Sequence, residues 1–464
     1  MPLKLKFLRA ALFILVAVPR LNISLGPVPI YIVDICLFGA ICFGGLRRPR
    51  IYGQVPLGGL LSTILAFALI SEFLSAGFAG SYIEAIYMSS RTCLAIGLFF
   101  LVSSSVRNED DLQYLLKPCV LGLIITTFLM TMTSLPGTRS MVAWIFKYDF
   151  LTPAGENFFF KSGHLEHGTR GQSLVGYNII SGWFVCLTWP LAIALYRSPL
   201  TSGHWRAIAL GVSILAPFGV LFAYSRGALL GMLLLIFGLF LLGERRLKGQ
   251  IAIAVIVVTG IIGIIGWNSK FFYFERIERR TLATIENPLG NEQEKERFAS
   301  YIDPFIVVSE NPARLFTGEG LATGRRARRS AIGRGDFSFF SRHGRNIADH
   351  SVFSQATMTY GMIAACCYLL LWVNALRNAY REARFSLKRN GLSRYFPQLV
   401  FPTIIGLSAW VAFDKGIIVQ PRGAMMFFFV IGMVEVCRNL RIHYRLEQVK
   451  DGKTSDKAKH PIVN

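Results

Sequence analysis

Apolar residues along this chain do not alternate as they would in a half-buried strand. They arrive in blocks about as long as a bilayer core is thick. A membrane-crossing helix needs roughly 17–25 predominantly apolar residues. Twelve stretches meet that length: 7–24, 27–45, 54–76, 82–104, 114–135, 174–196, 205–224, 227–243, 249–267, 351–375, 396–416 and 419–437. The first is the weakest, because Pro19 and Arg20 interrupt it. The expected fold class is all-α, a polytopic membrane protein with about twelve transmembrane helices. Spans one to nine occupy 1–267 with one outer loop at about 136–173, spans ten to twelve occupy 351–437, and 438–464 is a polar tail.

The polar residues between the blocks set the expected orientation. Arg47, Arg48 and Arg50 follow span two, Arg107 and Lys117 flank the loop after span four, and Arg197 and Arg206 follow span six. Arg245, Arg246 and Lys248 follow span eight, six basic residues lie between Arg377 and Arg394, and the tail carries Arg438, Arg441, Arg445 and four lysines. All these short segments fall on the side of the N-terminus. Lys and Arg in short loops stay in the cytoplasm, so both termini are expected there. Lys4, Lys6 and Arg9 before an apolar run look like a signal sequence, but no small-residue cleavage site follows. The segment therefore reads as a retained first helix.

Composition sharpens this picture in two places. Only 16% of the 464 residues are charged and the mean hydropathy is +0.47, against roughly 25% charged residues in soluble domains. A net charge of +22 would suggest nucleic acid in a soluble chain. Here much of it is orienting charge, and no nucleic-acid partner is expected. The eight cysteines all fall in apolar segments, which indicates neither a disulfide framework nor a thiolate metal site.

One long interval breaks the pattern. Residues 268–350 hold twelve arginines and two lysines against eleven Asp and Glu. From Arg314 to Arg345, eight arginines face only Glu319 and Asp336. On the parity above, this loop and the 136–173 loop lie outside the cytoplasm. Guanidinium forks match phosphate and carboxylate oxygens, so the loop is either a solvated surface or an anion-binding one.

Within it, 292–310 reads as an amphipathic helix carrying Arg297, with Phe298, Ile302, Phe305 and Ile306 on its apolar stripe and Pro304 bending or ending it. The run 311–324 is punctuated by Gly318, Gly320 and Gly324. It reads as a flexible return in preference to a cradle of backbone N–H groups for an anion. The Arg325–Arg329 cluster reads as a solvated or headgroup-facing surface.

Three further spots carry candidate chemistry. Arg170 and Asn178 bracket glycines ahead of span six, where a backbone can approach a ligand or simply turn at the interface. Ser225 and Arg226 sit in a very tight turn between spans seven and eight, and a charge at a membrane edge is generally functional or paired. Gly227, Ala228 and Gly231 beyond it permit close helix packing. His350, at the mouth of span ten, is either structural or the best-placed proton acceptor. No second His or Cys stands at metal-ligand spacing from it.

Taken in order, Tyr-Ser-Arg-Gly-Ala (224–228), Glu-Arg-Phe (296–298), Asn-Pro-x₅-Gly-x-Gly (311–320) and the closing His350-Ser351 resemble the bacterial O-antigen ligase and O-antigen polymerase superfamily. Arg170 through Asn178 is similar to that family's Arg-Gly then Asn ahead of a span. The resemblance covers roughly Arg170 to Met362. The family usually has His-Asn where this chain has His350-Ser351.

The resemblance implies an inner-membrane, metal-independent glycosyltransferase without a cofactor, with its active site facing the periplasm. Its donor would be an undecaprenyl-pyrophosphate-linked glycan. The acceptor would be lipid A–core in a ligase, or a second lipid-linked glycan in a polymerase of O-antigen, capsule or exopolysaccharide. His350, Arg226 and Arg297 become the catalytic candidates. Arg170, Asn178, Arg91 and Ser225 become binding candidates among membrane lipids. Twelve spans also suit a flippase or other transporter of lipid-linked oligosaccharide, which would show broken or charged helices at mid-membrane.

Alkaline phosphatase fused near Gly333 should be active, and fused near Gly391 inactive. The reverse pattern would put the long loop on the wrong side for a donor glycan.

Overall fold

The computed structural model describes residues 3–25, 28–44, 57–79, 82–135, 173–175, 178–223, 225–242, 312–320, 351–387, 391–414 and 416–450, with a few isolated positions between them. Helix α1 (Leu3–Ala17) leads to a hairpin of β1 (Asn22–Leu25) and β2 (Val28–Tyr31). Then come α2 (Ile32–Gly44), α3 (Gly58–Ala79), α4 (Tyr82–Ser105) and α5 (Glu109–Ser134). After these follow α6 (Asn178–Arg197), α7 (Gly203–Phe222), α8 (Arg226–Leu242) and a short α9 (Pro312–Thr317). The chain continues through α10 (Val352–Tyr360), α11 (Met362–Ser386), α12 (Leu392–Phe413), α13 (Gly416–Val419) and α14 (Pro421–Lys450).

Among the described residues, eight helices are long and apolar enough to cross a membrane: α3 to α7, α11, α12 and α14. Shorter apolar helices are α2 and α8. The chain is a helical, multi-pass membrane protein. Of the twelve expected spans, 249–267 lies outside the described residues apart from positions 249 and 260.

Two expected spans are built differently from a plain helix. Span two starts at Ile32, because 22–31 form the antiparallel hairpin, with Asn22 opposite Tyr31 and Ser24 opposite Pro29. A proline supplies no N–H to a ladder, which suits the two-stranded edge it occupies here. The Ile32 amide still donates to the Leu21 carbonyl at 2.8 Å, so pairing runs into the first residue of α2.

Span ten is broken. Gly361, at φ 87°, separates α10 from α11. A helix end in apolar surroundings exposes carbonyls that must find donors inside the protein. The donors come from the long loop. The amides of Glu319 and Gly320 bond the carbonyls of Met358 and Thr359 at 2.7 and 2.9 Å. The Ser71 hydroxyl of α3 also donates to the Thr359 carbonyl, and the Ser75 hydroxyl to the Glu319 carbonyl.

The 311–324 run is therefore neither a flexible return nor an anion cradle where it is described. The Gly318 amide is taken by Arg314, and the next two are taken by α10. Gly318 and Gly320 stand at φ 71° and 70°. A side chain on Gly318 would collide with the backbone of Thr359, and one on Gly361 with the backbone of Phe316.

Elsewhere the close packing expected of small residues is present. Gly231 of α8 faces Gly406 of α12, so that a Cβ on Gly231 would lie 3.2 Å from the Gly406 carbonyl oxygen. At the bundle end away from the hairpin, the Glu109 carboxylate accepts the amides of Leu392 and Ser393 at 3.1 and 2.7 Å and caps α12. Glu382 there meets Arg441 at 3.1 Å and Arg389 at 3.5 Å.

Gly318→Ala and Gly361→Ala should each cost about 3 kcal/mol or more, from a left-handed backbone plus a backbone collision. Gly59→Ala, whose added methyl meets nothing within 4 Å, should leave thermal unfolding in detergent unchanged. Equal melting temperatures across the three variants would show that the break is not locked.

Candidate functional site

At the hairpin end of the bundle, α8 opens with Ser225 ahead of its first turn. The Ser225 hydroxyl accepts the Ala228 amide at 3.3 Å, and its carbonyl accepts the Leu229 amide at 2.9 Å. Ser225 is thus buried and used as a cap, and the first helical residue, Arg226, is exposed. The tight turn does not bury its guanidinium. Gly227 follows, and beneath it lies the ring of Trp183 from α6. Trp183 stacks on Trp410 of α12, with centroids 5.7 Å apart and planes 14° apart.

From α12 the contacts lead to the long loop. Positions 301, 305 and 308, all in the expected amphipathic helix, are helical, and Val308 is fully buried. The Tyr301 hydroxyl donates to the Ala412 carbonyl at 3.0 Å, while its own carbonyl accepts the Ser354 hydroxyl at 3.3 Å. Ser351 caps α10 by accepting the Ser354 amide at 3.1 Å. His350 immediately precedes that cap in sequence. Contacts thus run from Ser351 through Ser354 and Tyr301 to Ala412 of α12, and from Trp410 of the same helix through Trp183 to the first turn of α8.

His350, Arg297 and Arg170 lie outside the described residues, as does the Arg325–Arg329 cluster. Asn178 is the first residue of α6, as the sequence suggested, and its side chain is not described.

Arg91 has a different setting from the other candidates. Its Nε lies 3.3 Å from Asp34 Oδ2, at the start of α2. Its Nη1 donates to the Tyr87 hydroxyl at 2.9 Å, and its guanidinium lies 4.1 Å from the centre of the Tyr31 ring. Arg91 thus ties β2 and α2 to α4. It also borders a narrow cleft lined by Thr92, Tyr360, Tyr368, Ile417 and Phe428.

Sequence reasoning missed Trp183, Trp410, Tyr301 and Glu72. Glu72 is fully buried in α3, next to Ser71 and close to Tyr360. A carboxylate inside an apolar span is rare enough to have been noticed in sequence. The tryptophans carry no such signal, because an aromatic in a span is ordinarily lipid-facing or core.

No protein-family model matches the chain, and no curated protein does. Among the described residues, no three His, Cys, Asp or Glu side chains gather as metal ligands would.

Arg91→Gln and Asp34→Asn should each destabilise by about 3 kcal/mol, since either leaves a buried charge or its partner uncompensated. The apolar double variant Arg91→Met with Asp34→Leu should recover most of that loss. A double-mutant cycle on thermal unfolding measures it, and additive losses would refute the pairing.

Proposed function

We propose that the chain is an inverting glycosyltransferase of the O-antigen ligase type. It would move a glycan from undecaprenyl pyrophosphate to an acceptor hydroxyl on lipid A–core, at the periplasmic face of a bacterial inner membrane. One observation carries the reading. The neighbours of three separate motifs, at Ser225–Gly227, Tyr301 and Ser351, are joined by contacts at one end of the bundle. Motifs spread over more than a hundred residues gather at one end of the bundle, as residues that share a ligand must.

The chemistry asks for two things. As the acceptor oxygen bonds to the anomeric carbon, the bond from that carbon to the phosphate oxygen breaks, and the electron pair leaves with the pyrophosphate. Arg226 and Arg297 would stabilise that developing charge. The acceptor's proton would pass to the imidazole of His350. A single displacement inverts the anomeric centre. Arg170, Asn178 and Ser225 would hold donor and backbone in place, and Arg91 would act through the hairpin it fixes.

A repeat-unit polymerase of the same superfamily would use this machinery with a second lipid-linked glycan as acceptor. A transporter of lipid-linked glycan has its own support in the broken helix and the buried Glu72 beside it, since transporters place coupling-ion sites at such breaks.

Arg226→Ala and Arg297→Ala should each cost about 3 kcal/mol of transition-state stabilisation, by analogy with loss of an oxyanion donor. Arg→Lys should rescue poorly and Arg328→Ala should be mild. His350→Gln should stop transfer while donor binding persists. Gel profiles of surface polysaccharide, with the leaflet of the accumulated lipid-linked precursor, check all of these. Wild-type polysaccharide from His350→Gln would remove the base, and precursor trapped in the inner leaflet would favour the transporter.

A further inference from the structure

The ring of Trp183 lies along α8 in a definite direction. Beside Gly231 are its Cζ3 and Cη2 atoms, and beside Gly227 are Cζ2, Cε2 and Nε1, the last 4.0 Å from where a Gly227 Cβ would be. The indole N–H edge therefore faces the start of the helix, one residue from Arg226. Trp183 is 1% exposed, and its Nε1 has no acceptor among the described residues. An orphaned donor in apolar surroundings costs roughly 1–3 kcal/mol, so it needs an explanation.

The first turn of α8 supplies one. A helix of 17 residues presents partial positive charge at its start. Arg226 adds a full charge there, and Gly227 lets the indole lie close against this first turn, where a Cβ would be 3.1 Å from Cζ2. Three independent features thus converge on one kind of ligand atom, an anionic oxygen arriving from the membrane edge.

We infer that the indole N–H of Trp183, the first turn of α8 and Arg226 together bind a phosphate oxygen of a membrane-borne lipid. This rests on the reading above and deepens it by giving the donor's diphosphate a buried partner that the sequence motifs do not mark. Trp183 would be a binding residue, with Trp410 beneath it holding the ring plane.

Trp183→Phe removes the N–H and keeps the stacked ring. In phosphatidylcholine nanodiscs, calorimetric titration with farnesyl diphosphate should show about tenfold weaker binding than wild type, as expected for losing one charge-assisted bond. Thermal unfolding should remain a single cooperative transition, which shows that the variant is folded. Trp372→Phe, which removes another buried unpartnered indole N–H, in the middle of α11, should bind as wild type. Gly227→Ala, whose methyl would sit 3.1 Å from Cζ2, should reproduce the loss and carries the test if Trp183→Phe does not fold.

Wild-type affinity in folded Trp183→Phe or Gly227→Ala, or equal weakening in Trp372→Phe, overturns the inference. Displacement of farnesyl diphosphate by an equal mole fraction of phosphatidylglycerol would assign the site to phospholipid phosphate. If Arg226→Ala ends glycan transfer while Trp183→Phe binds normally, this inference fails and the proposed function stands. If Trp183→Phe binds weakly while Arg226→Ala and His350→Gln transfer normally, the reverse holds.

Discussion

In an apolar medium every backbone N–H and C=O must find its partner within the protein, and the hairpin end of this bundle is arranged around one place where that is hard to satisfy. Helix α10 stops at Tyr360, inside the bundle, where no water can take its last carbonyls. Two amides of Gly318–Gly320 and one serine hydroxyl of α3 take them instead. Those bonds fix the angle at which α10 leaves α11, and so the position of the Ser351 cap at its other end. The candidate base precedes that cap by one residue. The site's geometry is thus set about 14 Å along α10 from where the chemistry is proposed.

The apolar blocks were legible because length and hydropathy alone decide what can cross a bilayer, and most helix limits fall within a few residues of the blocks. The close approach at Gly231 was legible too, since a small residue in a span has few other uses. The break at Gly361 was not. A hydropathy window averages over it, and what makes the break tolerable is a Gly-Glu-Gly segment forty residues away. The hairpin at 22–31 was hidden for a related reason, because Val28, Ile30 and Tyr31 are as apolar as the helix that follows. Of the site, the motif positions showed in the sequence, while the indole edge pointing up α8 depends on a ring orientation that no spacing records.

The two ends of the bundle use charge differently. At the hairpin end, Asp34 and two tyrosines hold Arg91 between secondary elements, and Arg226 is left exposed. At the other end, Glu109 caps α12 and Glu382 gathers Arg389 and Arg441, so carboxylates serve as fasteners between helix ends. Burial pulls the Arg389 guanidinium below the usual arginine range, and Glu382 partly opposes that pull. The network at that end has the character of a structural joint, while the hairpin end places one guanidinium at the surface.

The donors to the broken helix's last carbonyls precede it in the chain: Ser71, Glu319 and Gly320 all come before Met358 and Thr359. A ribosome feeding this protein into a membrane would therefore have delivered the whole receiving surface before the break emerged. The unsatisfied carbonyls would be closed as they are made, with no interval of exposure to lipid. The Glu109 clamp has the opposite schedule, because its carboxylate must wait for Leu392 and Ser393. Biogenesis would thus proceed with the hairpin end settled early and the far end fastened last.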